Sequence, residues 1–230
     1  MTTATEVLGA LSGVRDPELD QDLVELGFVT DVVVDGADVA VRLRLPTYFC
    51  APNFAFLMVS DARRAVEALD GVEVARIALE DHFTADDINA AVGRDAGFVE
   101  AFPGEAQAEL DDLRALFQRK ALMAREARLC DELLAAGRSE EDLVGMRLSS
   151  LPAGPDADRC GELRRALGLD AHPGAPAFVT GDGVELTVAD LPRFLRFARL
   201  VARSLDGNGH LCRGLLKTRY DLPDQEEVAA

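Results

Sequence analysis

The chain has 230 residues, of which 48% are apolar, and its formal net charge at pH 7 is −17. This apolar fraction excludes a globally disordered chain, and the acidic balance argues against nucleic acid or an anionic membrane as the main partner. The length favours two domains of modest size.

The cysteine usage and the first residues predict a reducing, cytoplasmic location. The four cysteines are scattered and include no CxxC pair, so a disulfide scaffold, a zinc ribbon or a thioredoxin-like dithiol is not supported. The first residues lack the basic and apolar regions of a signal peptide. No apolar stretch approaches the roughly 18 residues that a membrane span needs.

The first 83 residues predict a small α/β domain. Helical spacing over residues 4–11 ends at Gly13, and Asp16-Pro17-Glu18 follows as a capped turn. Residues 28–34 and 39–45 are then typical of two strands, because Asp35-Gly36 is a hairpin signal between them and the second run alternates strictly.

The next segment predicts a helix and a third strand. An apolar stripe begins after Pro52 and continues to Leu69. Gly71 ends this helix, and residues 72–79 alternate again. The predicted order is therefore αββαβ.

The remainder predicts a connector over residues 84–104, where Gly and Pro interrupt any periodicity, and a mostly helical domain over 105–230. The fold class predicted for the whole chain is therefore α+β. The predicted elements of the second domain are a long helix over 105–136, shorter helices over 139–147 and 156–167, a small hairpin over 177–186 and an amphipathic helix over 188–205. The acidic tail from Asp221 is predicted to fray.

Cys50 is the first candidate for chemistry, because it stands where a strand gives way to a helix. With Pro52 as the first helical residue, free amides and the positive end of the helix dipole would stabilise a thiolate. A thiolate is the form that binds iron or attacks an electrophile. The alternative is a small buried apolar side chain, a common role of free cysteine.

Three motifs follow one another in the first part of the chain. They are Ser-Gly-Val-Arg-Asp-Pro-Glu-Leu at 12–19, Leu-Gly-Phe-Val at 26–29 and Pro-Thr-Tyr-Phe-Cys-Ala-Pro at 46–52. Together, in this order, they resemble the PaaD-like and SufT-like metal–sulfur cluster assembly domain. The resemblance extends through the strand at 72–79 and covers about the first third of the chain. Such domains are implicated in iron–sulfur protein maturation, and some are associated with bacterial di-iron monooxygenase systems.

The cysteine motif differs from the family pattern by one position. Relatives read Pro-Thr-Tyr-x-Gly-Cys-Pro, so Thr47 and Pro52 align, while Ala51 stands at the cysteine position and Cys50 at the glycine position. A shift of one residue turns a side chain by about 180° on a strand or about 100° on a helix. A loop can still bring the shifted thiol to the same site.

The resemblance implies that Cys50 binds iron or an iron–sulfur cluster transiently. Thr47 either donates a hydrogen bond to the sulfur or caps the loop. Asp16 and Glu18 match the Asp-Pro-Glu of the family, and they either supply hard oxygen ligands or serve as a helix cap and a solvated acid. One thiolate cannot hold a cluster with four protein ligands, so a second copy in a homodimer, a partner or a small thiol would complete the site.

Other groups of metal-binding side chains are weaker candidates. His210 and Cys212 are close in sequence, but no recognised ligand spacing links them to Cys130, Cys160 or His172. Structural cysteines and a surface histidine are therefore favoured. Glu80-Asp81-His82 ends the third strand, where a solvated strand end is favoured over a cation site.

These features predict an accessory factor for metalloprotein maturation rather than an enzyme. Its partner would be an immature metalloenzyme, with a bacterial di-iron monooxygenase suggested by the resemblance, and the helical half would dock this client. Two alternatives remain. One is a metal-free chaperone or adaptor in which Cys50 only packs; the other is a thiol-dependent enzyme, which lacks an obvious base among the three histidines.

Overall fold

A three-stranded sheet is central to the N-terminal fold in the computed structural model, which describes residues 1–222. Residues 223–230, most of the tail that is predicted to fray, lie outside this range. The elements in chain order are α1 (Ala4–Leu11), β1 (Val29–Asp35), β2 (Asp38–Arg44), α2 (Pro52–Glu67), β3 (Val74–Glu80), α3 (Ala85–Gly93), α4 (Phe98–Ala101), α5 (Asp111–Ala135), α6 (Glu140–Gly145), a 3₁₀ turn (Leu148–Ser150), α7 (Pro155–Ala166) and α8 (Leu191–Tyr220).

The sheet has the order β1-β2-β3, with β1 and β2 antiparallel and β2 and β3 parallel. Parallel neighbours need a crossover connection, and α2 supplies it. The predicted order αββαβ and the predicted α+β class are both confirmed.

The central strand β2 shows how the sequence builds the core. Val39, Val41 and Leu43 are buried, while Arg42 between them is exposed, because successive side chains of a strand point to opposite faces. Helix α2 covers the apolar face with Met58, Val59, Ala62 and Val66 among its buried residues.

The chain divides into two compact units whose bounds differ from the predicted boundaries at 83 and 105. The first unit is Met1–Asp111 together with the chain from Asn208 onward, and the second is Asp112–Gly207. Residues 84–104, predicted as a connector, contain α3 and α4. Helix α3 belongs to the first core because Ile88 is fully buried there and the Asn89 amide bonds both N–H and C=O of Leu79 at 2.9 Å.

The second unit packs α5, α6, α7 and the first part of α8 around a core of its own. Helix α5 begins at Asp111, six residues later than predicted, and the predicted hairpin is reduced to an isolated bridge between Val179 and Glu185. Helix α8 continues to Tyr220, well beyond its predicted end at 205. Along residues 1–222, the helices include none that combines the length and apolarity needed to cross a membrane.

An ion pair lies inside the second unit. Arg164 of α7 donates to Glu126 of α5 at 3.0 Å, and both side chains are almost fully shielded from solvent. Arg164 also donates to the carbonyl oxygens of Pro176 and Ala177, each at 2.7 Å. One guanidinium therefore connects two helices and the segment before the Val179 bridge.

Candidate functional site

Cys50 lies in the loop that joins β2 to α2. Ala51 is the N-cap residue of α2 and Pro52 is in its first turn, so Cys50 directly precedes the helix N-terminus, as predicted. The Cys50 side chain is half-buried, carries a free thiol and packs against the first core. Ala51, which stands at the family cysteine position, is exposed.

Thr47 is the nearest polar partner of this thiol. Its Oγ1 lies 3.3 Å from Sγ of Cys50, so the predicted contact is present. When a metal ion replaces the proton on the sulfur and that proton passes to solvent, the sulfur can only accept a hydrogen bond, and the Thr47 hydroxyl must donate. The arrangement supplies one hydrogen bond to a bound thiolate.

His82 holds the Cys50 loop from the end of β3. Thr84 N–H donates to Nδ1 of His82 at 3.3 Å, so Nε2 carries the ring proton and donates to the Cys50 carbonyl at 2.7 Å. Burial lowers the pKa of His82, which favours this neutral form. The expectation of a solvated strand end is therefore wrong for His82, which is a buried positioning residue.

Three aromatic side chains border Cys50. Tyr48 and Phe49 precede it, Phe83 follows His82, and their ring centroids lie 5.0 to 6.3 Å apart. All three are exposed, Phe49 most of all at 76%. Exposed aromatic clusters of this kind often mark surfaces that bind another protein.

Asp16 is placed as a cap. Its Oδ1 accepts hydrogen bonds from the backbone N–H groups of Glu18 at 2.8 Å and Leu19 at 3.0 Å. This is the capping role, one of the two roles that the sequence left open for Asp16. Among residues 1–222, no group of three or more His, Cys, Asp or Glu side chains is arranged to hold a metal ion. Asp16 is thus observed as a cap, and a ligand role for Asp16 or Glu18 beside Cys50 stays a prediction.

The capping role predicts opposite effects for two substitutions of Asp16. Burial raises the pKa of this carboxyl to about 6, so the folded protein binds its proton more tightly than the unfolded chain does. Proton binding by Asp16 therefore stabilises the folded protein increasingly as the pH falls through 6 towards 4, and this stabilisation is absent at higher pH. Asp16→Asn keeps the acceptor and should leave stability at pH 7 unchanged or higher, whereas Asp16→Ala should cost about 1–2 kcal/mol.

Tyrosine fluorescence in urea can measure this effect, since the chain has no Trp and its two Tyr, Tyr48 and Tyr220, both lie in the first unit. The Asn variant should also lose the part of the stability gain between pH 7 and pH 5 that comes from Asp16. If Asp16→Asn destabilised the first unit as much as Asp16→Ala, the cap would not be the role of this carboxyl.

The other cysteines separate into two groups. Cys130 and Cys160 are buried in the second core, where burial raises the pKa of each thiol far above its usual range. Cys212 belongs to the first unit, is half-buried and packs against the same core as Cys50. Burial, followed by the charges of Asp16, Cys50 and Glu18, raises the pKa of Cys212 to about 11.

Comparison with known proteins agrees with this geometry. Residues 4–79 match the model of the iron-sulfur cluster assembly protein family. Over 90 residues the chain is 34% identical to an uncharacterized protein of Methanocaldococcus jannaschii. This alignment covers 39% of the present chain and 93% of the relative. The chain belongs to the iron-sulfur cluster assembly protein family. The predicted resemblance is thus confirmed for the N-terminal third.

A second relative is an iron-sulfur cluster carrier protein of Synechocystis sp., which is 44% identical to this chain over 73 residues. The match covers 32% of this chain but only 20% of the carrier protein. The two proteins therefore share a segment of about the length of the matched family domain, and most of the carrier protein has no counterpart in this match.

Proposed function

We propose that this member of the iron-sulfur cluster assembly protein family takes up an iron–sulfur cluster or its iron through Cys50 and passes it to an immature metalloprotein. The observation that carries the proposal is the Cys50 loop itself. A half-buried thiol stands beside a hydroxyl at 3.3 Å, on a loop held by His82, in the matched domain. The name of the Synechocystis relative, a cluster carrier, supports the same role.

Transient holding is consistent with the number of ligands. Closed structural metal sites in proteins use four side-chain ligands, whereas residues 1–222 provide no group of three or more. The remaining positions would be filled by small thiols, by a second copy of the chain or by the client. Such ligands exchange, so the cluster can leave.

The partner we propose is an immature metalloenzyme that docks on the aromatic cluster Tyr48, Phe49 and Phe83. These side chains are exposed, and Tyr48 and Phe49 belong to the same loop as Cys50. A client that binds them would therefore bring its metal-free site to the loop that carries the cluster. A bacterial di-iron monooxygenase component is the client class that the family resemblance suggests. The role is that of a carrier without catalysis of its own, in the cytoplasm.

An anaerobic transfer assay tests this function. The reduced full chain is loaded with iron and sulfide, passed through a desalting column and mixed with an apo iron–sulfur protein in the presence of an iron chelator. We expect iron and sulfide to stay with the chain and then to appear in the acceptor faster than from free iron and sulfide. A chain that retains neither ion after desalting would overturn the carrier role and leave a metal-free adaptor.

Capture from the native host identifies the client. Tagged chain, isolated without oxygen, should retain an iron-dependent enzyme in its metal-free form. If the tagged chain captured only proteins that do not use iron, the proposed client class would be wrong.

A further inference from the structure

Strand β3 is an edge of the sheet, because the strand order is β1-β2-β3. Along a strand, the backbone groups of successive residues point alternately to its two sides. The N–H of Val74 donates to the carbonyl of Ala37, which directly precedes β2, at 3.4 Å. Every second residue from Val74 therefore bonds β2, whereas the N–H and C=O groups of Ala75, Ile77 and Leu79 point away from the sheet.

A side-chain amide already occupies this outer edge at one residue. The Asn89 amide accepts from the N–H of Leu79 and donates to its carbonyl, each at 2.9 Å. An amide has the donor and the acceptor of a peptide group, so Asn89 takes the place that a residue of a fourth strand would have. The outer edge of β3 is therefore observed to bind the chemical group of a peptide.

The same edge is open at Ala75 and Ile77. Within residues 1–222, no hydrogen bond outside the β2–β3 ladder involves the backbone of either residue. Both residues are only 8% exposed, so their outward N–H and C=O groups are largely withdrawn from bulk water. Buried backbone groups in native proteins are nearly always paired. A ligand that brings a backbone of its own would supply the partners.

A groove of about 520 Å³ lies along this open edge. The first part of β3 lines one side, Val92 and Gly93 at the end of α3 line another, and Arg63 and Glu67 of α2 complete it. Arg63 connects the two helices, since it donates to the Val92 carbonyl and pairs with Glu67 at 2.6 Å. Because helices flank the edge, a lone extended segment fits it better than a second sheet that carries helices of its own.

The charges at the groove determine which segments it attracts. Both arginines are paired, Arg63 as described and Arg76 with Asp38 at 3.2 Å. Glu73 is exposed at the groove, and no ion pair within residues 1–222 involves its carboxylate. The net charge of the whole chain is −17. A basic segment is therefore attracted and an acidic one repelled.

We propose that the open edge of β3 binds an extended, basic segment of a partner protein as a fourth strand. The segment pairs its backbone with Ala75 and Ile77 and ends at Leu79, where Asn89 fills the edge. Its side chains alternate between the groove and the opposite, exposed face of the sheet, as in other strand additions. This binding is independent of Cys50 and of any cargo.

Peptides displayed on phage test the site before the partner is known. A library of short random peptides is selected on the reduced full chain, and the recovered peptides are synthesised with a fluorescent label for binding measurements. Gly93→Leu is the blocking variant, because a Cβ added at Gly93 meets no atom within 4 Å and Leu is the better helix former. Gly9→Leu is the matched control, since Gly9 is also helical, equally open and outside the groove.

We expect the selected peptides to be rich in β-branched and basic residues, to bind the wild type and Gly9→Leu alike, and to lose binding to Gly93→Leu. Glu73→Gln should weaken the binding by about 2- to 5-fold, the effect of an exposed ion pair. Glu25→Gln, the same change at an exposed site away from the groove, should have no effect. A selection that yields no peptide, or peptides that bind Gly93→Leu as tightly as the wild type, would overturn the proposal.

Amide hydrogen exchange shows whether a bound peptide forms a strand. A bound peptide should slow the exchange of the Ala75 and Ile77 amides and leave Leu79, whose N–H already donates to Asn89, unchanged. Binding that protects neither amide would contradict a fourth strand. Slower exchange of both amides at higher chain concentration, with no peptide added, would make a second copy of the chain the occupant and refute the partner segment.

Discussion

Replacing Arg164 with alanine is expected to lower the free energy of unfolding of the second unit by about 3–5 kcal/mol. The reason is that three buried acceptors lose their donor at once: the Glu126 carboxylate at 3.0 Å and the carbonyls of Pro176 and Ala177 at 2.7 Å. Buried acceptors without a partner retain the full cost of leaving water.

The two side chains of this ion pair differ in whether they can become neutral when the partner is removed. Burial raises the pKa of Glu126 above its usual value, so the carboxyl can take a proton when Arg164 is removed. An arginine cannot give up its proton, so Glu126→Ala leaves a buried charge and should also cost about 3–5 kcal/mol. Glu126→Gln keeps an oxygen for the guanidinium and should cost less.

Urea unfolding followed by far-ultraviolet circular dichroism measures the loss, since the second unit is mostly helical. Arg165→Ala is the matched control, because Arg165 is the neighbouring residue on α7 and is exposed; it should stay within about 0.5 kcal/mol of the wild type. Tyrosine fluorescence reports the first unit separately. A cost for Arg164→Ala no larger than that for Arg165→Ala would contradict the role of the pair.

Local patterns predicted the local parts of the fold. The alternation of β2, the Asp35-Gly36 hairpin and Pro52 at the start of α2 each involve neighbours in sequence, and the structure has all three. The contact between Thr47 and Cys50 spans only three residues and was predictable for the same reason.

Tertiary packing decided where the predictions differed from the structure. The last helix was predicted to end at 205, and the three glycines beyond this point, Gly207, Gly209 and Gly214, each cost about 1 kcal/mol in a helix interior. The helix continues because Leu216 and Cys212 pack against the first core. Periodicity in one segment does not show a core that is built by residues far away in sequence.

Buried polar residues were missed for a related reason. Glu126 stands in a helix rich in Ala, Leu, Glu and Arg, where a carboxylate usually faces water, and its partner follows 38 residues later. His82 is buried because it bonds the Cys50 carbonyl 32 residues earlier.

Replacing Cys50 with alanine is expected to abolish the proposed cargo transfer while leaving the fold nearly unchanged. Loss of a group that merely supports a metal ligand costs about 10- to 100-fold in affinity, so loss of the ligand itself should lower retained iron by more than about 100-fold. The side chain is half-buried, so the stability of the first unit should change by about 1 kcal/mol or less.

Thr47→Val should give an intermediate result. It replaces the hydroxyl that lies 3.3 Å from the sulfur with a methyl group of similar size, and a hydrogen bond to a charged acceptor contributes about 1.5–3 kcal/mol. The affinity for iron should therefore fall by about 10- to 100-fold with the cysteine still in place, and the amount of retained iron should fall with it. Iron and sulfide that remain on the chain after anaerobic desalting measure both variants, with Cys160→Ala as the control that lacks an unrelated thiol.

The position of the thiol can be tested by moving it. Cys50→Ala combined with Ala51→Cys restores the family spacing, but residue 51 is the exposed N-cap of α2, and the Thr47 hydroxyl contacts the side chain of residue 50. We therefore expect the double variant to retain no more iron than Cys50→Ala. Full recovery would show that the loop rearranges to use either position, and the geometry of Cys50 would then not be what determines cargo binding in this chain.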